Sequence, residues 1–265
     1  MTEFGHRYGE WALIAGGSEG LGYAFAAEAA ERGLGLILVA RRSGPLREAA
    51  SQLRAAHAVR VHTVAADLAE PQTYDELLPT ATAGMQIGLL VANAAHAPVG
   101  PFLGLNGPEI HRTLRVNCDA PVRLARTYLP FMVERRRGGF VVVSSAAGLQ
   151  GSPDLTLYAA TKAFGRIFAE GLWAELRQAR VDVIACIAGA VRTPGWEASG
   201  MRTAPGILPS RTVAAQTYDR LGRRPIVVPG RITWTATRAM RRLPRRSAVA
   251  LMARANRRLN RRTDL

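Results

Sequence analysis

Short, almost wholly apolar runs alternate with amphipathic stretches through the first 230 residues of the chain. Trp11 to Ala15, Leu34 to Ala40, residues 59–65, residues 87–92, Gly139 to Ser144, Val181 to Ile187 and Ile226 to Val228 predict strands. Their continuous rather than alternating hydrophobicity predicts burial on both faces, as in a parallel sheet covered by helices. Between the runs, Leu21, Ala24, Phe25 and Ala29 recur at helical spacing up to Gly33. Residues 46–57, 71–83 and 155–179 predict further helices, and a long one runs from Pro108 to about Arg137 with a kink expected at Pro121. Ser210 predicts a capped helix to Leu221 with Gly222 as its stop, after a Gly- and Pro-rich segment from Gly189 to Pro209. The alternation predicts one doubly wound α/β sheet of about seven parallel strands, with no linker dividing it.

Beyond Pro229 the pattern changes. Ile232, Ala236, Ala239, Met240 and Leu243 share a helical face, with Arg238, Arg241, Arg242 and Arg245 elsewhere on the helix. After Pro244, Ser247 predicts the cap of a second helix bearing Ala248, Leu251, Met252, Ala255 and Leu259. Residues 1–230 thus read as one domain and 231–265 as a basic amphipathic helical extension. Charge divides in the same way. Of the net +15, residues 1–219 carry 21 basic against 19 acidic groups, whereas residues 220–265 carry 14 arginines against Asp264 alone. A nearly neutral body makes nucleic acid an unexpected partner. For the extension two readings stand: peripheral membrane contact through its basic helices, or packing of the apolar faces on the domain or another subunit.

Cys118 and Cys186 lie in apolar surroundings at no metal-like spacing, and the five histidines form no ligand pattern, so reduced thiols and no metal are expected. The stretch from Met85 to Pro108 is free of charged residues, but its glycines, prolines and asparagines disqualify it as a membrane span. The start, MTEFGHRYGEW, lacks the apolar core of a secretion signal. A cytoplasmic location is expected, with membrane association only through the C-terminus.

Three stretches carry candidate chemistry. Gly16-Gly17-Ser18-Glu19-Gly20-Leu21-Gly22 stands between a strand and a helix, where glycines let the backbone approach a pyrophosphate and the helix start offers free N–H groups. Arg41-Arg42 follows the second strand, where arginine accommodates the 2′-phosphate of NADP(H); a solvated basic turn is the competing reading. In the third stretch Tyr158 and Lys162 stand four residues apart, one turn of one helical face, with Ser145 thirteen residues earlier. An ammonium beside a phenol favours phenolate, and a hydroxyl can hold a carbonyl oxygen against it. Lys162 is the one lysine among 35 basic residues, so the chain keeps a single tunable ammonium at this point.

In combination these motifs resemble the short-chain dehydrogenase/reductase family over about residues 8–230. The resemblance rests on Ala15-Gly16 to Gly22, Asp67, Ala92-Asn93-Ala94-Ala95, Asn117, Ser145, Tyr158, Lys162 and Ala188-Gly189, followed by Val191 and Thr193. Tyr8 to Ala12, Leu129 to Arg135 and Leu155 to Lys162 resemble the branch of hydroxysteroid dehydrogenases and very-long-chain 3-oxoacyl-CoA reductases. Ala15, Ala95 and Ala188 replace the family's Thr, Gly and Pro, and none of these removes a proton-transfer group.

The resemblance implies a Rossmann-type fold, an NADP(H)-dependent carbonyl/alcohol oxidoreductase acting on a lipophilic substrate, and a homodimer or homotetramer. It implies catalytic roles for Asn117, Ser145, Tyr158 and Lys162. It implies cofactor contacts from Gly16, Ser18, Glu19, Gly20, Leu21, Gly22, Arg41, Arg42, Asp67, Leu68, Asn93, Ala94, Tyr158, Lys162, Gly189, Val191 and Thr193. Residues 190–209, with Trp196, Met201, Ile207 and Leu208, are expected to close the substrate pocket. The rival reading is a non-catalytic NADPH-binding sensor or scaffold on the same fold.

Overall fold

A computed structural model describes residues 2–193 and 206–260, the side chains of 257–260 excepted. Trp196 and Met201 lie outside the described residues. Strands β1 (Trp11–Ala15), β2 (Gly35–Ala40), β3 (Val61–Ala65), β4 (Ile87–Ala92), β5 (Gly138–Ser145) and β6 (Val181–Ala188) match the apolar runs closely. Strands β7 (Val191–Arg192) and β8 (Leu208–Pro209) form a small parallel ladder at the two ends of the segment expected to be irregular. With β9 (Ile226–Val227) the main sheet has seven parallel strands in the order β3-β2-β1-β4-β5-β6-β9.

Inner strands β1, β2 and β4 bury every residue, whereas edge strand β3 exposes His62, Thr63 and Ala65. The two faces divide the side chains of β1. Ala12 and Ile14 join the core under α2 (Gly20–Glu31), α3 (Ser43–His57) and α8 (Ser210–Tyr218). Trp11, Leu13 and Ala15 join the opposite core, under α6 (Ala120–Glu134) and α7 (Thr156–Leu176). This is the doubly wound arrangement, and its strand order reverses between β1 and β4, where such sheets open a ligand crevice.

Three local features differ from expectation. Helix α1 (Glu3–Tyr8), capped by Thr2, is too short for a periodic signal; it is held by the Tyr8 hydroxyl, which donates to Asp182 Oδ2 at 3.0 Å. The helix expected over 71–83 is a π-helical turn (Thr73–Leu77) followed by the single turn α4 (Leu78–Ala81). The long helix from Pro108 breaks ahead of Pro121, not at it. Helix α5 (Gly107–Leu114) passes into a π-helical turn (Arg115–Asp119) before α6. Pro121 has no N–H to give the carbonyl four residues back, that of Asn117, so the α-helical ladder fails at Asn117 and the turn widens.

The C-terminal extension folds back on the domain as α9 (Arg231–Met240) and α10 (Arg245–Asn260). Helix α10 starts at Arg245, directly after Pro244, so Ser247 lies in its first turn rather than capping it. Ala248 and Asn256 are buried. The Asn256 amide donates to Ser152 Oγ at 2.9 Å and to the Pro153 carbonyl at 2.6 Å, clipping α10 to the loop between Ser145 and Tyr158. Among the described residues no helix is long and apolar enough to cross a membrane. Asn256→Ala leaves two buried acceptors short of a donor, costing about 1–3 kcal/mol. A lower melting temperature is expected.

Candidate active site

The glycine loop is shaped by close backbone contacts. Gly16 takes φ +84°, a left-handed conformation that favours glycine, and its N–H donates to the Val39 carbonyl at 2.7 Å. The Asn93 amide donates to the Gly16 carbonyl at 3.0 Å, and the backbone amides of Asn93 and Ala94 donate to that of Ala15. Backbone bonds therefore tie these loops where Ala15 lacks the family's hydroxyl. Helix α2 has no side-chain cap at Glu19, so among the described residues no capping side chain claims its first N–H groups. Thr193 lies over the start of this helix, against Gly20.

At the C-terminal ends of β1 to β4 a cleft of ≈ 300 Å³ opens between Gly16, Ser18 and Glu19 on one side and Arg41, Asp67, Leu68, Asn93 and Ala94 on the other. The two arginines after β2 separate here. Arg42 is ion-paired to Glu19 across the loop, whereas Arg41 lines the cleft and makes no ion pair among the described residues. Asp67 accepts from the Ala69 amide at 3.0 Å and, with both oxygens, from Arg112 Nη2 at 3.0 Å. Burial would raise its pKa, but the Ala69 amide, Arg112 and Arg41 outweigh burial and hold the carboxylate below its usual range. Arg112, on α5, carried no signal in the sequence, because its partner is 45 positions away.

Beyond the cleft wall at His96 and Val116 stands the group at the end of β5 and the start of α7, joined to His96 through Asn117. Ser145 closes β5, and its Oγ accepts from the Ala147 amide at 3.2 Å. Tyr158 lies in the first turn of α7 and Lys162 one turn further, with Nζ 5.6 Å from the centre of the phenol ring. Burial raises the Tyr158 pKa, and the Ser145 hydroxyl opposes the rise. Proximity to Lys162 had suggested a lowered phenol; in the protein alone desolvation prevails, and the ammonium donates instead to the Val143 carbonyl at 2.9 Å. Asn117 is buried in the π turn. Its amide donates to the His96 carbonyl at 2.8 Å and to Thr161 Oγ1 at 2.9 Å, and its Oδ1 accepts from the His96 amide at 2.8 Å. Asn117 thus fastens the end of β4 and the start of α7 to one point. Thr161 and His96 were not singled out in the sequence, since each acts through a bond between distant segments.

Burial pushes the Lys162 pKa down to about 8. The unfolded chain keeps that proton up to its ordinary value of 10.5, so unfolding takes up a proton between the two. Stability linked to Lys162 is therefore lowest below pH 8 and rises above it. The thiols of Cys118 and Cys186, raised by burial from 9.0 to about 11, act in the opposite sense above 9.0. Compared with Lys162→Met, the wild type should gain about 1 kcal/mol per pH unit above 8, read as a difference in melting temperature.

Beside Ser145 and the end of β6 lies an apolar cavity of ≈ 550 Å³. Its walls are Ala146, Leu149, Gly189 and Ala190 of the domain, with Ile232, Ala236, Met240, Leu251 and Met252 of α9 and α10. Among the described residues, the C-terminal extension supplies most of the apolar wall that the 190–209 segment was expected to provide.

Residues 10–202 match the family model described as short chain dehydrogenase. The chain belongs to this family. As a short-chain dehydrogenase it is similar to the very-long-chain 3-oxoacyl-CoA reductase of Bos taurus, 32% identical over 200 residues, which are 71% of this chain and 64% of that protein. The 7beta-hydroxysteroid dehydrogenase of Clostridium sardiniense is 29% identical over 224 residues, 83% of this chain and 85% of the relative. Against the first group the short-chain dehydrogenase spans less than two thirds of the relative's length. Among solved structures, one of a 7beta-hydroxysteroid dehydrogenase superposes with TM-score 0.89 at 25% identity, covering 95% of this chain and 99% of the other. A short-chain dehydrogenase from Sphingobium yanoikuyae in complex with NADPH gives TM-score 0.77 at 30% identity, covering 88% and 93%.

Proposed function

We propose that the protein is an NADP(H)-dependent oxidoreductase that interconverts a ketone and a secondary alcohol on a lipophilic substrate. One observation carries this reading: a half-buried phenol and hydroxyl and a buried ammonium (Tyr158, Ser145, Lys162) are joined through Thr161 and Asn117 to His96 in the wall of the Gly16 cleft, and Ser145 directly precedes Ala146 in the wall of the apolar cavity. The residues present fit NADP(H). A pyrophosphate suits the Gly16–Gly22 cradle and the uncapped start of α2, and a 2′-phosphate suits Arg41. NADPH, when bound, supplies a hydride to the carbonyl carbon. Ser145 orients the carbonyl, and Tyr158, kept protonated by loss of water around it, gives its proton to the oxygen. Lys162 would hold the ribose of the cofactor, and its ammonium would return the proton to Tyr158. The widened turn at Asn117 leaves that residue's carbonyl without an α-helical N–H partner, and this carbonyl would hold a relaying water.

Oxidation of NADPH against ketosteroids, 3-oxoacyl thioesters and simple aldehydes tests the reading. Turnover of at least one lipophilic ketone is expected. Tight NADPH binding with no turnover across that panel would instead favour the sensor or scaffold. Arg41→Asp should weaken NADPH binding about 10–100-fold and shift preference toward NADH, since a charge-assisted bond to phosphate is worth about 1.5–3 kcal/mol. Equal affinities before and after the change would remove Arg41 from the phosphate site.

The C-terminal extension acts in this reading as a cover for the substrate cavity. Binding of the full chain to anionic liposomes, lost in a form ending at Pro229, would reassign it to a membrane surface. Exposed apolar side chains on α6 and α7, among them Phe131, Phe164 and Ile167, support assembly as a homo-oligomer.

A further inference from the structure

On the side of α9 facing α7 and β9 lies a second cavity, of ≈ 260 Å³ and different character. It shares Leu149, Gln150, Thr237, Met240 and Leu243 as walls with the apolar one, so the two cavities adjoin. Its charged lining is Arg166 on α7, Arg241 after α9 and Arg245 at the start of α10, against the single carboxylate of Glu170. Arg166 is half-buried, whereas Arg241 and Arg245 are exposed. Arg166 Nη1 donates to Glu170 Oε1 at 3.0 Å, but its Nε is buried without a hydrogen-bond partner. Arg245 gives one N–H to the Leu149 carbonyl at 3.2 Å, and Arg241 makes no ion pair among the described residues. A buried donor of a charged group left unmade is costly, and guanidinium forks match the two oxygens of a carboxylate or phosphate. Three guanidinium groups against one carboxylate leave a net positive cavity beside an apolar one whose size suits a small lipophilic molecule.

We propose that this second cavity is an oxyanion site, and that the substrate is an anionic amphiphile. Its apolar body, carrying the ketone, lies under α9 and α10, and its carboxylate or phosphate head lies among Arg166, Arg241 and Arg245. The substrate assignment rests on the reductase reading above; the oxyanion site itself does not. Leu149 and Gln150 follow Ser145 closely in the chain, so a head group held there also fixes the body relative to the reacting carbonyl.

The test compares three probes with one aliphatic ketone body: oxodecanoic acid, its methyl ester and oxodecyl phosphate. Binding is measured calorimetrically with the NADP⁺-loaded protein, which has no hydride to give, and turnover separately by NADPH oxidation. The wild type should bind at least one anionic probe about tenfold or more tighter than the ester. Arg241→Gln with Arg245→Gln should bind all three alike, with NADPH binding as the check that the variant has folded. The stronger of the two acids identifies the head group. Equal affinity of ester and acids in the wild type, or an acid preference that survives in the variant, would overturn the site. Preferential binding of the acids without turnover of any probe would leave the oxyanion site standing and count against the reductase reading alone.

Discussion

Tyr158→Phe is expected to bind NADPH within about twofold of the wild type and to reduce ketones about 10²–10⁴-fold more slowly. The substitution removes one oxygen and keeps the ring that packs 5.6 Å from Lys162 Nζ, so the shape of the cleft is preserved. What is lost is the acid. The phenol is half-buried, and loss of water around it keeps it protonated, which suits the donor of a proton to a carbonyl oxygen. Neither neighbour can replace it. Ser145 is a far weaker acid, and Lys162 serves in this reading to reprotonate Tyr158 rather than the carbonyl oxygen. Fluorescence titration of NADPH and single-turnover oxidation measure the two quantities separately. Retained turnover would take the proton-transfer role away from Tyr158.

Gly22→Ala is expected to abolish NADPH binding while the sheet still folds. A Cβ at this position would stand 1.8 Å from the Gly16 carbonyl oxygen and 2.5 Å from the Asn93 amide that hydrogen-bonds it. The first obstacle is backbone, so no rotamer relieves it; α2 must withdraw from the loop, and its N–H groups withdraw with it. An affinity loss of about 100-fold or more is expected, since a charged pyrophosphate depends on several such N–H groups at once. Gly171→Ala serves as the control. It lies in α7, where a Cβ meets nothing within 4 Å, and it should stabilise the helix by roughly 0.5–1 kcal/mol. Normal NADPH affinity in Gly22→Ala would place the cofactor elsewhere.

Most of the sheet could be read from the chain because each inner strand is buried on both faces and so leaves a run such as LGLILVA or IGLLVA. The elements that escaped notice are those whose stability is not periodic. Helix α1 depends on Thr2 at its start and on Asp182 far along the chain, and the π turn at Arg115–Asp119 depends on one missing N–H at Pro121. In the site, Tyr158, Lys162 and Ser145 were legible because helix and strand spacing bring them together locally. Arg112, Thr161, His96 and Asn256 were not, because their partners Asp67, Asn117 and Ser152 come from other segments. The roles of Arg41 and Arg42 also diverge only in three dimensions, where Glu19 claims one of them.

The solitary lysine has a practical consequence. Every other basic side chain is a guanidinium, so an amine-selective reagent has a single side-chain target, and that target is walled into the reaction centre. Its pKa of about 8 leaves a nucleophilic fraction under mildly alkaline conditions. Acylation at residue 162 thereby becomes an intrinsic footprint: one side-chain mass increment, in a peptide distinct from that of the α-amine, whose rate reports opening of the centre and its shielding by whatever fills it.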